Sequence, residues 1–410
     1  MKYSQIFTKT EKQAKEYDSL NATLLIKAGF IYQIMAGAYT FLPLGLRVLN
    51  KIEQIVREEM DKIASEISMT ALAPKSLWET TGRINTVDVL MKTVAANESA
   101  LAKNAQEYIL NSTQEELVTP IAQKFAISYK DLPFATYQIQ TKFRNEARVK
   151  SGLMRGREFR MKDLYSFHRS EEELKKYYEV VKKAYVEIFK RLGLGDQTVI
   201  ALASGGDFTK DYSHEFQTRC ETGEDIIYKD LKTNIYYNKE VAPPDADDTS
   251  KFEKFTAAEV GNIFPLNTKF SQAFNYYFTD QDGSRKIVYM GCYGIGTSRI
   301  MGVIAEKFND EKGLIWPESI APFQVYLISI NDKQEAAQMI YDQLTQAKIE
   351  VLWDDREVSA GLKFADADLI GCPNRLVISE KTGDQIEWKQ RTSQETQLLS
   401  LDQVIKKLST

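Results

Sequence analysis

Cysteine and histidine are scarce in this sequence, with three of the one (Cys220, Cys292, Cys372) and two of the other (His168, His214) spread over 410 residues. Such a set is too sparse for a disulfide framework, and no pair has the spacing of a zinc site. A reduced, cytoplasmic setting without zinc is expected. Long apolar runs are missing too. The greasiest passage, IMAGAYTFLPLGL, is short and broken by Pro43, and the opening MKYSQIFTKTEKQAKEYDSL has no apolar segment, so neither a membrane span nor a signal peptide is expected. An excess of positive charge is also lacking: 53 Lys and Arg face 57 Asp and Glu, for a net charge of −4. The whole chain has no attraction for polyanions, so any such partner must be met by a local patch. Internal repeats and low-complexity tracts are absent.

What is present is ordinary globular composition, 43% hydrophobic and 27% charged, in a chain long enough for two or three domains. One local patch stands out. FRNEARVKSGLMRGREF, residues 143–159, holds Arg144, Arg148, Lys150, Arg155 and Arg157 against Glu146 and Glu158. Before it, ATYQIQTKFRNEAR alternates Tyr137, Ile139, Thr141 and Phe143 with Gln138, Gln140, Lys142 and Arg144. After the loop, REFRMKDLYSFH sets Phe159, Met161, Asp163 and Tyr165 on one face. Period-two alternation on both sides of a glycine-containing loop predicts an antiparallel hairpin. It is either a solvated basic hairpin or a nucleotide site, with guanidinium groups for phosphate, a phenylalanine for the base and a carboxylate for an exocyclic amine.

Two further constellations carry possible chemistry. MGCYGIGTSR, residues 290–299, brings three glycines to the start of a predicted helix with Arg299 in its first turns, which suits either tight packing or an anion. NSTQEELVTP offers Thr113 and Glu115 on one face if extended, or an ordinary helix cap. Elsewhere, LGLRVLNKIEQIVREEMDKIA repeats Leu46, Leu49, Ile52, Val56 and Met60 at helical spacing. Residues 238–255, rich in proline and acid, predict a surface linker. GCYGIGTSRIMGVIAEKF predicts a helix opened by glycines, and after Pro322 strand and helix alternate in a compact α/β domain.

In this order the pieces resemble the signature motifs of class II aminoacyl-tRNA synthetases, and among these the bacterial-type prolyl-tRNA synthetases. GFIYQIMAGAYTFLPLGLRVLNKIEQIVREEM resembles motif 1, FRNE with RGREFRMKD motif 2, and GIGTSR the end of motif 3. YQIQTKFRNE, MRGREF, KDLYSFH, MGCYGIG, IAPFQV and LKFADADLIGCP are the specifically prolyl features. The resemblance implies an α+β catalytic domain, an antiparallel sheet flanked by helices, over residues 1–322. Motif 1 falls at about 29–62, motif 2 at about 137–168 and motif 3 at about 288–306, and a small α/β anticodon-binding domain follows at 323–410. It implies a homodimer joined through motif 1, with L-proline, ATP carrying Mg²⁺, and tRNA(Pro) as substrates.

The same resemblance implies residue roles. Arg144 would meet the α-phosphate and the substrate carboxylate, Glu146 the adenine amine, and Phe159 the adenine face. Arg155 and Arg299 would hold the γ-phosphate end, and Gln217 a position beside the ribose or metal. Thr113 and Glu115 would bind the imino nitrogen of proline, with Met161, Asp163, Tyr165, Asn262 and Cys292 around the ring. Arg148 and Lys150 are left for the tRNA acceptor end. Two departures stand out: Asn262 replaces the histidine of the usual EVGHIF, and only residues 220–256 separate SHEFQTR from AAEVGN, where many bacterial members carry an editing domain. An amide donates hydrogen bonds but does not titrate near neutrality. A noncatalytic relative would have lost some of Arg144, Glu146, Phe159 and Arg299, and all four are present.

Overall fold

The computed structural model describes residues 1–11, 17, 19–149, 151–209 and 211–409; Lys150 lies outside the described residues. They divide into two compact units. One comprises Met1–Ile34, Tyr39–Ile52 and Ile304–Thr410, the other Met35–Ala38 and Glu53–Val303. None of the described helices is long and apolar enough to cross a membrane.

In the larger unit, nine strands among the described residues form one sheet: β1 (Ser65–Glu66), β2 (Phe134–Phe143), β3 (Glu158–His168), β4 (Thr198–Ala203), β5 (Ser213–Arg219), β6 (Asp225–Asp230), β7 (Tyr236–Asn238), β8 (Phe252–Asn267) and β9 (Tyr289–Ile295). Their order is β5-β4-β7-β6-β8-β9-β3-β2-β1, with β5 also pairing β8. Pairing is antiparallel except at β1 with β2 and β4 with β7. The expected hairpin is β2 and β3, in a register that sets Gln138 opposite Asp163, Gln140 opposite Met161 and Lys142 opposite Phe159. One face of that hairpin therefore carries Phe159, Met161, Asp163 and Tyr165 together with the polar residues of β2.

Four helices of the chain bear on the sequence reading. The first, α1 (Pro43–Met60), begins at a proline whose missing N–H costs nothing there. Leu49, Ile52, Val56 and Met60 are buried as the spacing predicts, but Leu46 is 46% exposed and Leu44, Val48 and Ile55 are buried in addition. The next two are α2 (Glu115–Phe125) and α3 (Glu171–Arg191). Ser170 caps α3 by accepting from the Glu173 N–H, three acids occupy its first turn, and Lys190 and Arg191 close it, all favourable to the helix dipole. Its inward face (Leu174, Tyr178, Val181, Tyr185, Ile188, Phe189) covers the back of the sheet, where the Tyr178 hydroxyl donates to the Ile263 carbonyl. Burial of each such side chain contributes about 1.5–3 kcal/mol.

The structure departs from the sequence expectation at two places. GCYGI belongs to β9, and the helix, α4 (Thr297–Lys307), starts only after Gly296. Pairing with both β3 and β8 holds those glycines extended. The linker of 238–255 is also shorter than expected, because β8 already begins at Phe252. That ring packs with Tyr228 and Ala246, and Phe255 packs on Ile227, so aromatic burial converts the end of the acidic loop into strand.

In the other unit, β10 (Val325–Ser329), β11 (Val351–Asp354), β12 (Asn374–Ile378), β13 (Ile386–Gln390) and β14 (Gln397–Leu399) run in the order β11-β10-β12-β13-β14. The first three are parallel, with α5 (Gln334–Gln346) and α6 (Ala360–Ile370) as crossovers, and Leu344, Ala337, Val325, Leu327, Leu376 and Trp353 share a core. Lys2 bridges Trp353 at the open edge of β11, and the Ser4 hydroxyl donates to Asp355 at 2.6 Å.

Candidate active site

The face of β3 described above floors a cavity of about 410 Å³. Ten of the residues named from sequence line it: Thr113, Arg144, Glu146, Arg155, Phe159, Met161, Asp163, Asn262, Cys292 and Arg299. At about 3.3 Å per residue, Asp163 lies about 13 Å and Tyr165 about 20 Å along the strand from Phe159. The cavity is thus a trough whose two ends have different chemistry.

Near Phe159 the chemistry is cationic. The Arg144 guanidinium sits over the Phe159 ring, 5.1 Å from its centroid. Arg299, near the start of α4, donates through Nε to the Met154 carbonyl at 2.6 Å and through Nη1 to the Glu259 carbonyl at 2.9 Å. Burial and then the Arg299 charge hold the Arg144 guanidinium below its ordinary pKa, the mark of two cations facing one space. Arg160 donates to both oxygens of Glu53 at 2.9 and 3.0 Å, Glu53 accepts from Thr297 at 3.2 Å, and Ser298 accepts from the Arg160 N–H at 3.1 Å, which fixes the start of α4. Gly294 lets the wall stay thin, since a Cβ there would fall 2.5 Å from the Met161 methyl.

Not every expected partner is where the sequence implied. Arg155 is held by two carboxylates: Nη2 lies 2.7 Å from Glu146 Oε2 and Nη1 donates to Glu224 at 3.0 Å. Arg157 is tied to the backbone carbonyls of Glu146 and Ala36. Arg148 is exposed and away from the lining. Gln217 is fully buried and outside the lining; its amide donates to Glu215 at 2.9 Å and Asp225 at 2.8 Å, so it orients carboxylates rather than facing the cavity. Tyr165 lies beneath the floor, its hydroxyl accepting from the Gln114 N–H at 3.0 Å.

Toward Cys292 the chemistry is anionic. Thr113 and Glu115 do meet, but not along an extended segment. The chain turns at Gln114, Glu115 opens α2 where the helix dipole favours a carboxylate, and the Thr113 hydroxyl donates to Glu115 Oε2 at 2.6 Å. The Cys292 thiol donates to Glu115 Oε1 at 3.1 Å, and burial followed by the Glu115 charge pushes that thiol well up. Lys142 Nζ lies 2.5 Å from Asp163 Oδ2, with both side chains buried. Burial pulls the Lys142 ammonium down, and Asp163 opposes it. Arg83, Glu116, Lys142, Glu215, Asp225 and Glu259 all escaped the sequence reading. Lys142 alone left a signal, sharing the alternating face with Arg144.

A carboxylate group lies beside the cationic end. Glu215 lines the cavity and accepts from Asn238 at 2.8 Å, from Gln217 and, at 3.3 Å, from the Asn262 amide. Burial, then Glu259, pushes the Glu215 carboxyl up to about 8, and burial also raises Glu259. Among the described residues no cluster of three or more His, Cys, Asp or Glu has the geometry to hold a metal ion by itself.

The description "tRNA synthetase class II core domain (G, H, P, S and T)" matches residues 96–308, and "Anticodon binding domain" matches 324–410. A proline–tRNA ligase of Ehrlichia chaffeensis is 38% identical over 437 aligned positions covering all of both chains. That of Legionella pneumophila (strain Corby) is 32% identical, covering 99% of this chain and 98% of its own. Its alignment runs to 568 positions against 410 residues here, so at least 158 of them have no counterpart in this chain. Among solved structures, the Giardia lamblia prolyl-tRNA synthetase in complex with prolyl-adenylate has the same fold, with TM-score 0.77 and 21% identity over 94% of this chain and 75% of that one.

The raised carboxyl of Glu215 has a stability consequence. A group whose pKa rises from 4.5 to about 8 on folding binds its proton more tightly in the folded state, so stability declines as pH climbs from 4.5 through 8. In Glu215→Gln the melting temperature should fall less over that window than in the wild type. Equal pH slopes for the two proteins would contradict the assignment.

Proposed function

Because this chain belongs to the proline–tRNA ligase family of class II tRNA synthetases, with a catalytic core and an anticodon-binding domain, we propose that it activates L-proline with ATP and charges tRNA(Pro). One observation carries the reading: a single trough is lined at one end by Arg144, Arg299 and Phe159 and at the other by Thr113 and Cys292, with the buried Glu115 directly behind those two as the acceptor of both. The first suits a nucleoside polyphosphate, the second an amine.

In the first step a proline carboxylate oxygen attacks the α-phosphorus, the bond to the bridging oxygen breaks, and pyrophosphate leaves. Arg144 draws the carboxylate and α-phosphate together and neutralises the charge that gathers between them, so orientation and electrostatics supply most of the acceleration. Phe159 supports the adenine and Glu146 accepts from its amine. Arg155, 41% exposed at its side chain, exchanges carboxylate partners for phosphate oxygens and works with Arg299 at the γ-phosphate. The Thr113 hydroxyl is committed as donor to Glu115, which leaves its lone pairs for one N–H of the proline ammonium while Glu115 takes the other. Met161, Asp163, Asn262 and Cys292 bound the ring, with Tyr165 supporting them from below. In the second step a terminal ribose hydroxyl of tRNA attacks the prolyl carbonyl and AMP leaves.

Mg²⁺ would enter held mainly by the ATP phosphates, with the oxygen donors Glu215 and Glu259, whose carboxyls burial raises, beside it and Gln217 orienting Glu215 and Asp225. When bound, that ion neutralises the phosphate tail. Residues 1–322 serve as the catalytic part and 323–410 as the anticodon part. Residues 29–62 pair two subunits, a reading favoured by the exposed Tyr32, Ile34 and Leu46. Arg148, with Lys150, meets the acceptor end. Three buried thiols without disulfides suit the cytoplasm.

Replacing Arg144 by Ala should lower proline-dependent exchange of pyrophosphate into ATP by about 10²-fold or more. Retention of wild-type exchange would remove Arg144 from the reaction. A second expectation concerns alanine. Its missing methylenes are worth only about 1–3 kcal/mol of discrimination, and the segment that lengthens the Legionella relative is absent here. Alanyl-tRNA(Pro) incubated with the purified chain should survive as long as it does in buffer; rapid deacylation would show editing by this chain itself.

A further inference from the structure

Arg83 and Glu116 belong to no motif, yet they form an ion pair beside the trough as enclosed as Lys142 with Asp163. Arg83 is 3% exposed and lines the cavity, while Glu116, like Glu115, is fully buried. Arg83 Nη1 stands 3.0 and 3.1 Å from the two oxygens of Glu116 and 3.2 Å from Glu115 Oε2. The Thr81 hydroxyl adds a donor to Glu116 Oε1 at 2.9 Å. Rings of Trp78, Phe208 and Phe270 surround the guanidinium, with centroids at 5.4, 4.8 and 5.2 Å. Water is excluded from these charges, so they must be balanced by the side chains themselves or by a ligand.

The balance is incomplete. Two carboxylates share one guanidinium, and the other nearby cation, Lys269, is exposed and donates to the Asp207 carbonyl. The Lys142 charge is already matched by Asp163. One negative charge is left over directly behind Thr113, which faces the trough and donates to Glu115. Burial, opposed by Arg83 and reinforced by Glu115, holds the Glu116 carboxyl at about 6, above its ordinary value.

Resting on the proline reading of that subsite, the geometry points to Arg83 and Glu116 as a positioning pair that sets the charge Glu115 offers to the substrate amine. Glu116 takes two of the three contacts made by Arg83, so Glu115 is steadied by the guanidinium without being neutralised by it. A secondary ammonium then completes the set: two cations against two carboxylates. Removing the Glu116 charge leaves Arg83 to Glu115 alone, and an incoming ammonium meets a pair that is already neutral. The selected ligand class is a cyclic secondary ammonium acid, and an uncharged ring of the same shape gains nothing from the arrangement.

The test compares L-proline with tetrahydrofuran-2-carboxylate, in which a ring oxygen replaces the NH₂⁺ group, by calorimetric titration of the full chain. Glu116→Gln should weaken proline binding tenfold or more and leave the ring-oxygen acid within twofold of its wild-type affinity. Glu116→Asp, which keeps the charge, should recover part of the proline affinity. Equal losses for both ligands would mean that Glu116 only supports the fold, and an unchanged proline affinity would mean that it has no role in the subsite; either overturns the inference. If Glu116→Gln does not fold, Thr81→Val, which removes only the hydroxyl donated to Glu116, should give the same selective loss at smaller size, and a nonselective result there overturns the inference as well. A wild-type chain that binds no proline would instead overturn the reading of the site.

Discussion

Charged side chains withdrawn from water around the site need counterions within the protein, and the site is arranged around that requirement. Lys142 is matched by Asp163, and Arg83 by Glu115 and Glu116. Removing one member of such a pair costs far more than the pair contributes, because the survivor stays buried and charged. The opposite face of the sheet obeys the same constraint differently. Lys162, on alternate positions of β3, is enclosed by α3, where its ammonium donates to the Tyr185 hydroxyl and, at 3.1 Å, to the Tyr293 carbonyl, and burial pulls it down to about 7. One strand thus carries a buried lysine on one side and, on the other, Phe159, Met161 and Asp163 lining the trough.

Where pairing is deliberately incomplete, the imbalance has a use. Arg144 and Arg299 share a space and disfavour each other's charge, which an anionic phosphate relieves. Glu115 and Glu116 share one guanidinium, which an ammonium relieves. In the proposed reading, opposite excesses at two ends of one trough would orient an amino acid before any shape-based contact acts, with its amine toward α2 and its carboxylate toward Arg144. The neutral interior between them is built from Met161, Gly294 and Asn262. Asn262 holds Glu215 through its amide and, unlike histidine, keeps the same hydrogen-bonding character across the neutral range.

Much of this was legible because it rests on local pattern. Alternation along residues 137–165 implied the hairpin and put Arg144, Phe159, Met161 and Asp163 on one face, and the resemblance to class II motifs supplied their order. What escaped depends on distant pairing. Arg83 and Glu116 are 33 residues apart and meet only because the turn at Gln114 places the start of α2 against the short 3-10 turn Arg83–Asn85. Glu215, Asp225 and Glu259 gather because β5 and β6 both pair with β8, a topology that no spacing encodes. Acidic composition at 238–255 concealed the strand that starts at Phe252, since one buried aromatic outweighs the polar residues before it. The opening residues, uninformative as sequence, lie on the edge of β11 through Lys2 and Ser4, where backbone pairing makes little demand on residue type.

The central claim is that one trough binds both halves of an aminoacyl-adenylate, the nucleotide on its cationic end and the amine on its anionic end. Titration of the wild-type chain with the non-hydrolysable mimic 5′-O-[N-(L-prolyl)sulfamoyl]adenosine tests it most directly. Binding about 10²-fold or more tighter than AMP or L-proline alone is the predicted result, since linking the two halves recovers both sets of contacts for one ordering cost. A mimic that binds no more tightly than AMP would show that the two ends do not act as one site.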